Sequence, residues 1–372
     1  MNDLRDFALE RFFARWEFTA PHMLSASDCE PLTIRELLDV AGQPADALLD
    51  LGLGYTEAPG SLYLRERIAT FYPGLGPDDV LVTNAPEEAI FLAMMTLATP
   101  GARVVVQTPC YQALAEIARW RGADVVPWPM VETDSGWTAD LERLDELLGI
   151  PTNVLVINAP HNPTGWLPTR AEYDRIRASA RKTGARLFMD EMYRGLEHDP
   201  RDALPPAAAL DDRAVSLWGM SKAFGLGGLR IGWLVSQDQA LLDEALRLKD
   251  YTSICATAPG ERLAFVALGA ADLITARHRL TIDKNLSLLR AFAERTGVLA
   301  WRAPKAGSIV FPRWLPGAAT AFCERAARDA GCVVVPASTF AWGDDHVRFG
   351  LGRSELAAGL AVLEQALPTL RG

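Results

Sequence analysis

The sequence predicts an α/β protein with two parts: a large domain whose mostly parallel sheet is covered by helices on both faces, and a smaller α+β domain. Three observations carry this. The chain has 372 residues, more than a single core usually supports. From Leu81 to Val235, short β-branched runs alternate with longer helical patterns, and the runs are nearly continuous in apolar residues, as in strands buried on both faces. Beyond residue 262 the pattern changes to long helices separated by short strands.

The elements follow in order. An N-terminal helix is expected near 4–16. Strands are expected at Val80-Leu81-Val82, Arg103-Val104-Val105-Val106, Val154-Leu155-Val156-Ile157, Leu187-Phe188-Met189 and Ala214-Val215-Ser216-Leu217, with a further apolar run at Ile231-Gly232-Trp233-Leu234-Val235. Helices are expected over 87–98, 111–122, 169–184 and 237–248. A long amphipathic helix over 262–297 then leads to strands at Ser308-Ile309-Val310-Phe311, Cys332-Val333-Val334-Val335 and His346-Val347-Arg348-Phe349, with helices at 318–330 and 353–368. No Gly/Ser linker separates the parts, so a shared helix is expected to join them. The expected division is 46–264 for the large domain and 1–45 with 265–372 for the small one.

Bulk properties exclude several classes. With 37 basic and 47 acidic residues, the net charge of -10 argues against a nucleic-acid or anionic-membrane surface. No basic stripe interleaved with aromatics is present. The start, Met1-Asn2-Asp3-Leu4-Arg5-Asp6, lacks a basic region followed by an apolar core, and no apolar run approaches a membrane span. The five cysteines (29, 110, 255, 323 and 332) form no CxxC pair, which fits free thiols and neither a disulfide framework nor a zinc site. A soluble, cytoplasmic protein is expected.

Chemistry gathers behind the strands. Ser221-Lys222 is followed by a glycine-rich stretch ending at Arg230, eight residues past the lysine. Such a lysine is a candidate amine nucleophile, and the arginine a candidate phosphate grip. After the strand at 154–157 comes Asn158-Ala159-Pro160-His161-Asn162-Pro163-Thr164-Gly165, and after 187–189 comes Asp190-Glu191-Met192-Tyr193. An aspartate at a buried strand end needs a cation or several donors. Each feature also has an ordinary explanation: a glycine turn, an Asn-Pro turn and a helix-capping aspartate. Their common place at strand ends, where ligands bind in such sheets, points to one shared site.

Taken together, Asn162, Asp190, Tyr193, Lys222 and Arg230 resemble the fold-type I pyridoxal-phosphate aminotransferases of class I/II. The matching segments are Asn-Pro-Thr-Gly at 162–165, Asp-Glu-Met-Tyr at 190–193 and Ser-Lys…Gly-Leu-Arg-Ile-Gly at 221–232, with Tyr55 to Arg65, Pro109-Cys110-Tyr111 and Arg348 extending the likeness along the chain. The resemblance implies pyridoxal 5'-phosphate as cofactor. It implies that Lys222 holds the cofactor as a Schiff base and shuttles the Cα proton, while Asp190 keeps the pyridine nitrogen protonated. Tyr193 and Asn162 would bind the ring oxygen, and Tyr111 would stack on the ring. Arg230 and Ser221 would hold the phosphate, with Tyr55 reaching it from a neighbouring subunit of a homodimer that shares its active sites. Ala85, Pro86 and Glu87 occupy the phosphate-binding turn. Arg348, with Asn162, would bind the substrate α-carboxylate. The implied reaction moves an amino group from an L-amino acid to a 2-oxo acid.

Two departures stand out. Gly219 replaces the usual Ser or Thr three residues before the lysine, and the phosphate-binding turn reads Thr83-Asn84-Ala85-Pro86-Glu87-Glu88-Ala89. Pro86 has no N–H to offer a phosphate, and Glu87 repels it, so weaker cofactor retention is expected. Asp28 or Glu30 is a candidate to face a cationic substrate side chain, and Trp16, Trp166 and Trp342 are candidate apolar walls. Outcomes other than transamination stay open within the cofactor class: β/γ-elimination, cyclisation or oxidation. Two other classes are a nucleotide-binding dehydrogenase, whose glycine fingerprint is not met, and a non-catalytic effector-binding protein on the same fold.

Overall fold

Eight strands form the principal sheet of the computed structural model, which describes residues 3–370. They are β1 (Val80–Asn84), β2 (Arg103–Thr108), β3 (Asp124–Thr133), β4 (Gly136–Ala139), β5 (Val154–Asn158), β6 (Arg186–Asp190), β7 (Val215–Gly219) and β8 (Ile231–Val235). Their order across the sheet is β1-β8-β7-β6-β5-β2-β3-β4. β7, β6, β5, β2 and β3 run parallel, while β8 is antiparallel to both neighbours and β4 folds back on β3. The parallel strands β2, β5, β6 and β7 are buried almost throughout, which explains their unbroken apolar character.

The helices between the strands start and stop where local chemistry dictates. Thr169 and Glu172 form a reciprocal capping box on the helix Arg170–Thr183, and Gly184, at φ 78°, ends it in the left-handed conformation. Asp238 accepts from Leu241 N (3.1 Å) and opens the helix Gln239–Lys249. The helix Pro86–Leu97 packs against Ala113–Arg121 and Gln239–Lys249, whereas Leu141–Leu148 packs on Arg170–Thr183.

One expectation is corrected, and one strand is added. The helix expected over 262–297 is a pair, Ala258–Gly269 and Ala271–Thr296, broken where Ala270 leaves helical geometry at φ -114°, ψ 21°. Strand β3, absent from the strands expected above, carries Pro127 and Pro129. Only residues 130–133 of β3 pair with β4, so the two prolines lie where β3 has no outer neighbour. Two residues apart, they turn their missing N–H groups to that open edge at no cost to the ladder.

The remaining strands are short. Val347–Gly350 runs antiparallel between Ile309–Val310 and Val335–Pro336, and Leu299–Ala300 pairs with Arg313–Trp314. His22–Met23 adds in parallel to Cys332–Val333, so the N-terminal segment joins the C-terminal elements rather than the large sheet. The register of the large sheet sets Asn158 of β5 beside Asp190 of β6, and Asp190 beside Leu217 of β7. These carboxyl ends open toward the N-terminal segment. No helix among the described residues is long and apolar enough to cross a membrane.

Candidate active site

A cavity of about 790 Å³ lies at the carboxyl ends of these strands. It brings together Asn162, Asp190, Tyr193, Ser221, Lys222 and Arg230 with Tyr111, Pro86, Glu87 and Arg348. Two expected residues lie elsewhere. Ala85 is buried just before the cavity wall, and Tyr55, 93% exposed, does not line the cavity of its own chain.

The floor is built on the β5–β6 register. Asn158 Nδ2 donates to Asp190 O (3.0 Å), and Asn158 Oδ1 accepts from Asn162 N (2.6 Å). Gln107 Oε1 in turn accepts from Asn158 N (3.1 Å). The Asp190 carboxylate accepts from Met192 N (3.0 Å) and forms no ion pair among the described residues. Burial pushes its pKa up to about 7, with Glu191 and Glu87 adding to the rise against the Met192 hydrogen bond. Nearby, the Tyr193 hydroxyl is buried without a hydrogen-bond partner, although Ser27 lies near enough to favour its ionised form.

Lys222 projects from the loop after β7, and its Nζ donates to Ser27 Oγ (2.9 Å). Desolvation lowers the lysine pKa first, Arg348 lowers it further, and Asp28 opposes both. The glycine-rich stretch has a packing reason: at Gly225 (φ 67°) a Cβ would lie 2.7 Å from Glu30 O, on the N-terminal segment. Arg230 adopts a left-handed backbone (φ 54°), donates to Gly227 O (3.1 Å) and has no carboxylate partner among the described residues.

The helix Pro86–Leu97 aims its N-terminus at the cavity. Pro86 occupies the first helical position behind Ala85, whose φ is 86°. A Cβ at Gly219 would sit 2.6 Å from Pro86 Cγ, and one at Gly232 would sit 2.5 Å from Pro86 N. The missing hydroxyl at 219 and the unusual proline are therefore one packing arrangement: the ring fills the space a side chain would need. Glu88 turns away, accepting from Asn84 N (2.6 Å) and from Ser253 Oγ (3.0 Å). Glu87 faces the cavity, where burial raises its pKa and the Tyr111 hydroxyl opposes the rise. Tyr111 Oη also donates to Glu10 Oε1 (3.3 Å).

Arg348 is fully buried. Its Nη1 donates to Asn162 Oδ1 (3.1 Å) and its Nη2 to Ser25 O (3.0 Å), while Nε has no partner. The guanidinium lies over Phe340 (5.2 Å) and Phe13 (5.9 Å) and meets no carboxylate among the described residues. Such a cation is held ready for an anion from outside. Asp28 and Glu30 do line the cavity, but both are already engaged. Asp28 takes a two-point contact from Arg353 (3.2 and 2.8 Å), and Glu30 accepts from Ser354 N and Oγ, both at 2.7 Å. Trp16, Trp166 and Trp342 do not line it.

These groups fit a phosphorylated pyridine aldehyde. A ring-nitrogen cation suits Asp190, a phenolic oxygen suits the orphaned Tyr193 hydroxyl, an amine waits at Lys222, and Arg230 is free for a phosphate. Sequence reasoning gave no role to Asn158 or Glu10, and reached Ser27 only as part of Ser25–Pro31, the N-terminal stretch that the family resemblance sets at the substrate mouth. Asn158 ends an apolar run as Asp190 does, and that signal was available. Ser27 and Glu10 reach the cavity only through tertiary packing.

Comparison with known proteins bears on the family and the fold. The family model described as "Aminotransferase class I and II" matches residues 44–359. Capreomycidine synthase of Streptomyces vinaceus is 33% identical over 98% of this chain and 93% of its own length. Among solved structures, a PLP-dependent aminotransferase from Streptococcus suis superposes with a TM-score of 0.93 at 28% identity, covering 99% of both chains. The PLP-dependent cyclase OrfR superposes with a TM-score of 0.91, also at 28% identity, covering 99% of this chain and 98% of that one.

Proposed function

Because the chain belongs to the class I and II aminotransferases, a pyridoxal-phosphate family, we propose that it transfers an amino group from an L-amino acid to a 2-oxo acid. The observation that carries this reading is the pairing of two buried, unneutralised charges, Asp190 and Arg348, in the cavity that holds Lys222. When bound, pyridoxal phosphate supplies a carbonyl for amine capture and a protonated ring that accepts the electrons released at Cα.

The chain's own residues do the rest. Lys222 anchors the cofactor and then carries the Cα proton, a task that needs a neutral amine, and desolvation favours that form. Asp190 would stabilise a ring-nitrogen cation through charge, and Tyr193 and Asn162 would serve the ring oxygen. Tyr111 would pack on the ring. Arg230 and Ser221, with backbone N–H groups of the Pro86 helix, would hold the phosphate. Arg348 forks onto the α-carboxylate, a planar match that lysine does not offer.

A second reading, cyclisation of an amino acid, draws support from the full-length similarity to capreomycidine synthase and from OrfR. The two separate in a reaction without added 2-oxo acid. Transamination gives at most one oxo acid per active site and halts until a 2-oxo acid is supplied. Continuous conversion of the amino acid under the same conditions would overturn transamination in favour of cyclisation or elimination.

For the whole molecule, the proposal is a homodimer in which Tyr55 of one copy reaches the phosphate site of the other. The exposure of Tyr55 beside exposed Leu49, Leu53, Tyr251 and Ile254 supports it. Residues 46–264 would form the cofactor-bearing domain, and 1–45 with 265–372 the smaller one. Five free cysteines, four of them buried, support a reducing, cytoplasmic setting.

A further inference from the structure

We propose that Ser27 is a positioning residue for the proton-carrying lysine: its hydroxyl holds the Lys222 amine toward the N-terminal segment, where the substrate carboxylate clamp also lies. The inference rests on the proposed function and adds to it a residue outside every motif of the sequence.

The geometry is specific. Lys222 Nζ donates to Ser27 Oγ at 2.9 Å. A lysine side chain is a flexible four-carbon stem, so a single acceptor at its tip decides where the amine rests. Ser27 is itself fixed. Ser308 Oγ donates to Ser27 O (2.7 Å), and Gly350 N donates to Leu24 O (2.8 Å). A Cβ at Gly350 would overlap Ala26 O, and one at Gly352 would overlap Asp28 O. The segment 24–28 thus lies flat against the Val347–Gly352 stretch on one side and lines the cavity with the other.

The same segment also binds the carboxylate clamp, since Ser25 O accepts from Arg348 Nη2 (3.0 Å). One short, rigid piece of chain therefore touches both Arg348 and Lys222. It fixes the separation between the group that grips the substrate α-carboxylate and the amine that takes the proton from the adjoining Cα. A misplacement of about 1 Å between such groups can cost roughly a hundredfold in rate.

The test uses the full-length holoenzyme and a mixture of the twenty common L-amino acids in D2O, with Cα deuteration read by mass spectrometry. Each exchange moves a Cα proton to Lys222 Nζ and returns a solvent deuteron to the same carbon. Ser27→Ala is expected to slow exchange by about tenfold or more, while bound cofactor, read by absorbance, and melting temperature stay at wild-type values. Ser27→Thr, which keeps the hydroxyl, is expected to restore most of the rate. Wild-type exchange rates in Ser27→Ala overturn the proposal. So does a loss of exchange that tracks a loss of cofactor or of fold and is not restored by threonine, because the serine is then merely structural. Absence of exchange in the wild-type enzyme would instead count against the proposed function itself.

Discussion

At the scale of single residues, the site is defined by charges held without partners. Asp190 is the clearest case: burial lifts its pKa to about 7, against an ordinary carboxyl near 4. In protein free of cofactor, the folded state therefore binds this proton more tightly than the unfolded chain. The resulting stabilisation is fully present below about pH 4 and is lost as pH rises through about 7. Asp190→Asn, which is neutral throughout, should flatten that part of the melting-temperature profile, and an unchanged slope would show that the carboxylate is not desolvated. Arg348 makes the complementary case. Arg348→Lys keeps the charge but loses the fork, and KM for amino-acid substrates should rise about 10–100-fold, consistent with the loss of one charge-assisted hydrogen bond. Much of this was legible in the sequence. Asp190, Asn162 and Lys222 each follow an apolar run by one to five residues, so the strand pattern located them. The contact of Ser27 with Lys222 was not legible, because it spans 195 residues of sequence and Ser27 lies in no strand.

At the scale of elements, the phosphate-facing helix shows how two departures from the family pattern become one. Pro86 rests in the hollow left by Gly219 and Gly232, so the glycine follows from the proline. Gly219→Ser should destabilise the protein by about 1–3 kcal/mol through overpacking, measured by denaturant unfolding. Pro86→Ala in the same chain should recover only part of this, because Gly232 Cα and Ile231 O remain 3.0 Å from the new Cβ. Stability equal to wild type in Gly219→Ser would show that the ring does not lock this turn. The sequence exposed both departures but not their link, which needs the approach of β7, β8 and the helix start. It likewise missed β3, because prolines at an open sheet edge look the same in sequence as prolines that break a strand. The long C-terminal helix was read without its break although Gly269, where the first of the pair ends, is a breaker signal beside Ala270.

At the scale of the whole molecule, the chain places its chemistry where two sets of elements meet. The large sheet supplies Asp190, Lys222 and Arg230, and the N- and C-terminal elements supply Ser27 and Arg348. The alternation of strands and helices made the first set readable, whereas the attachment of His22–Met23 to Cys332–Val333 joins segments some 310 residues apart and leaves no local signal. The proposed dimer predicts that sedimentation at micromolar protein gives twice the 40.5 kDa chain mass, and that Tyr55→Phe weakens cofactor affinity without dissociating it. A monomer with full cofactor affinity would contradict the shared site. The most direct test of the central claim is borohydride treatment of the cofactor-loaded protein followed by peptide mass spectrometry. The account predicts the reduced cofactor mass on the peptide bearing Lys222, and its absence in Lys222→Ala. Attachment at another lysine, such as the buried Lys249, or no attachment at all, would contradict it.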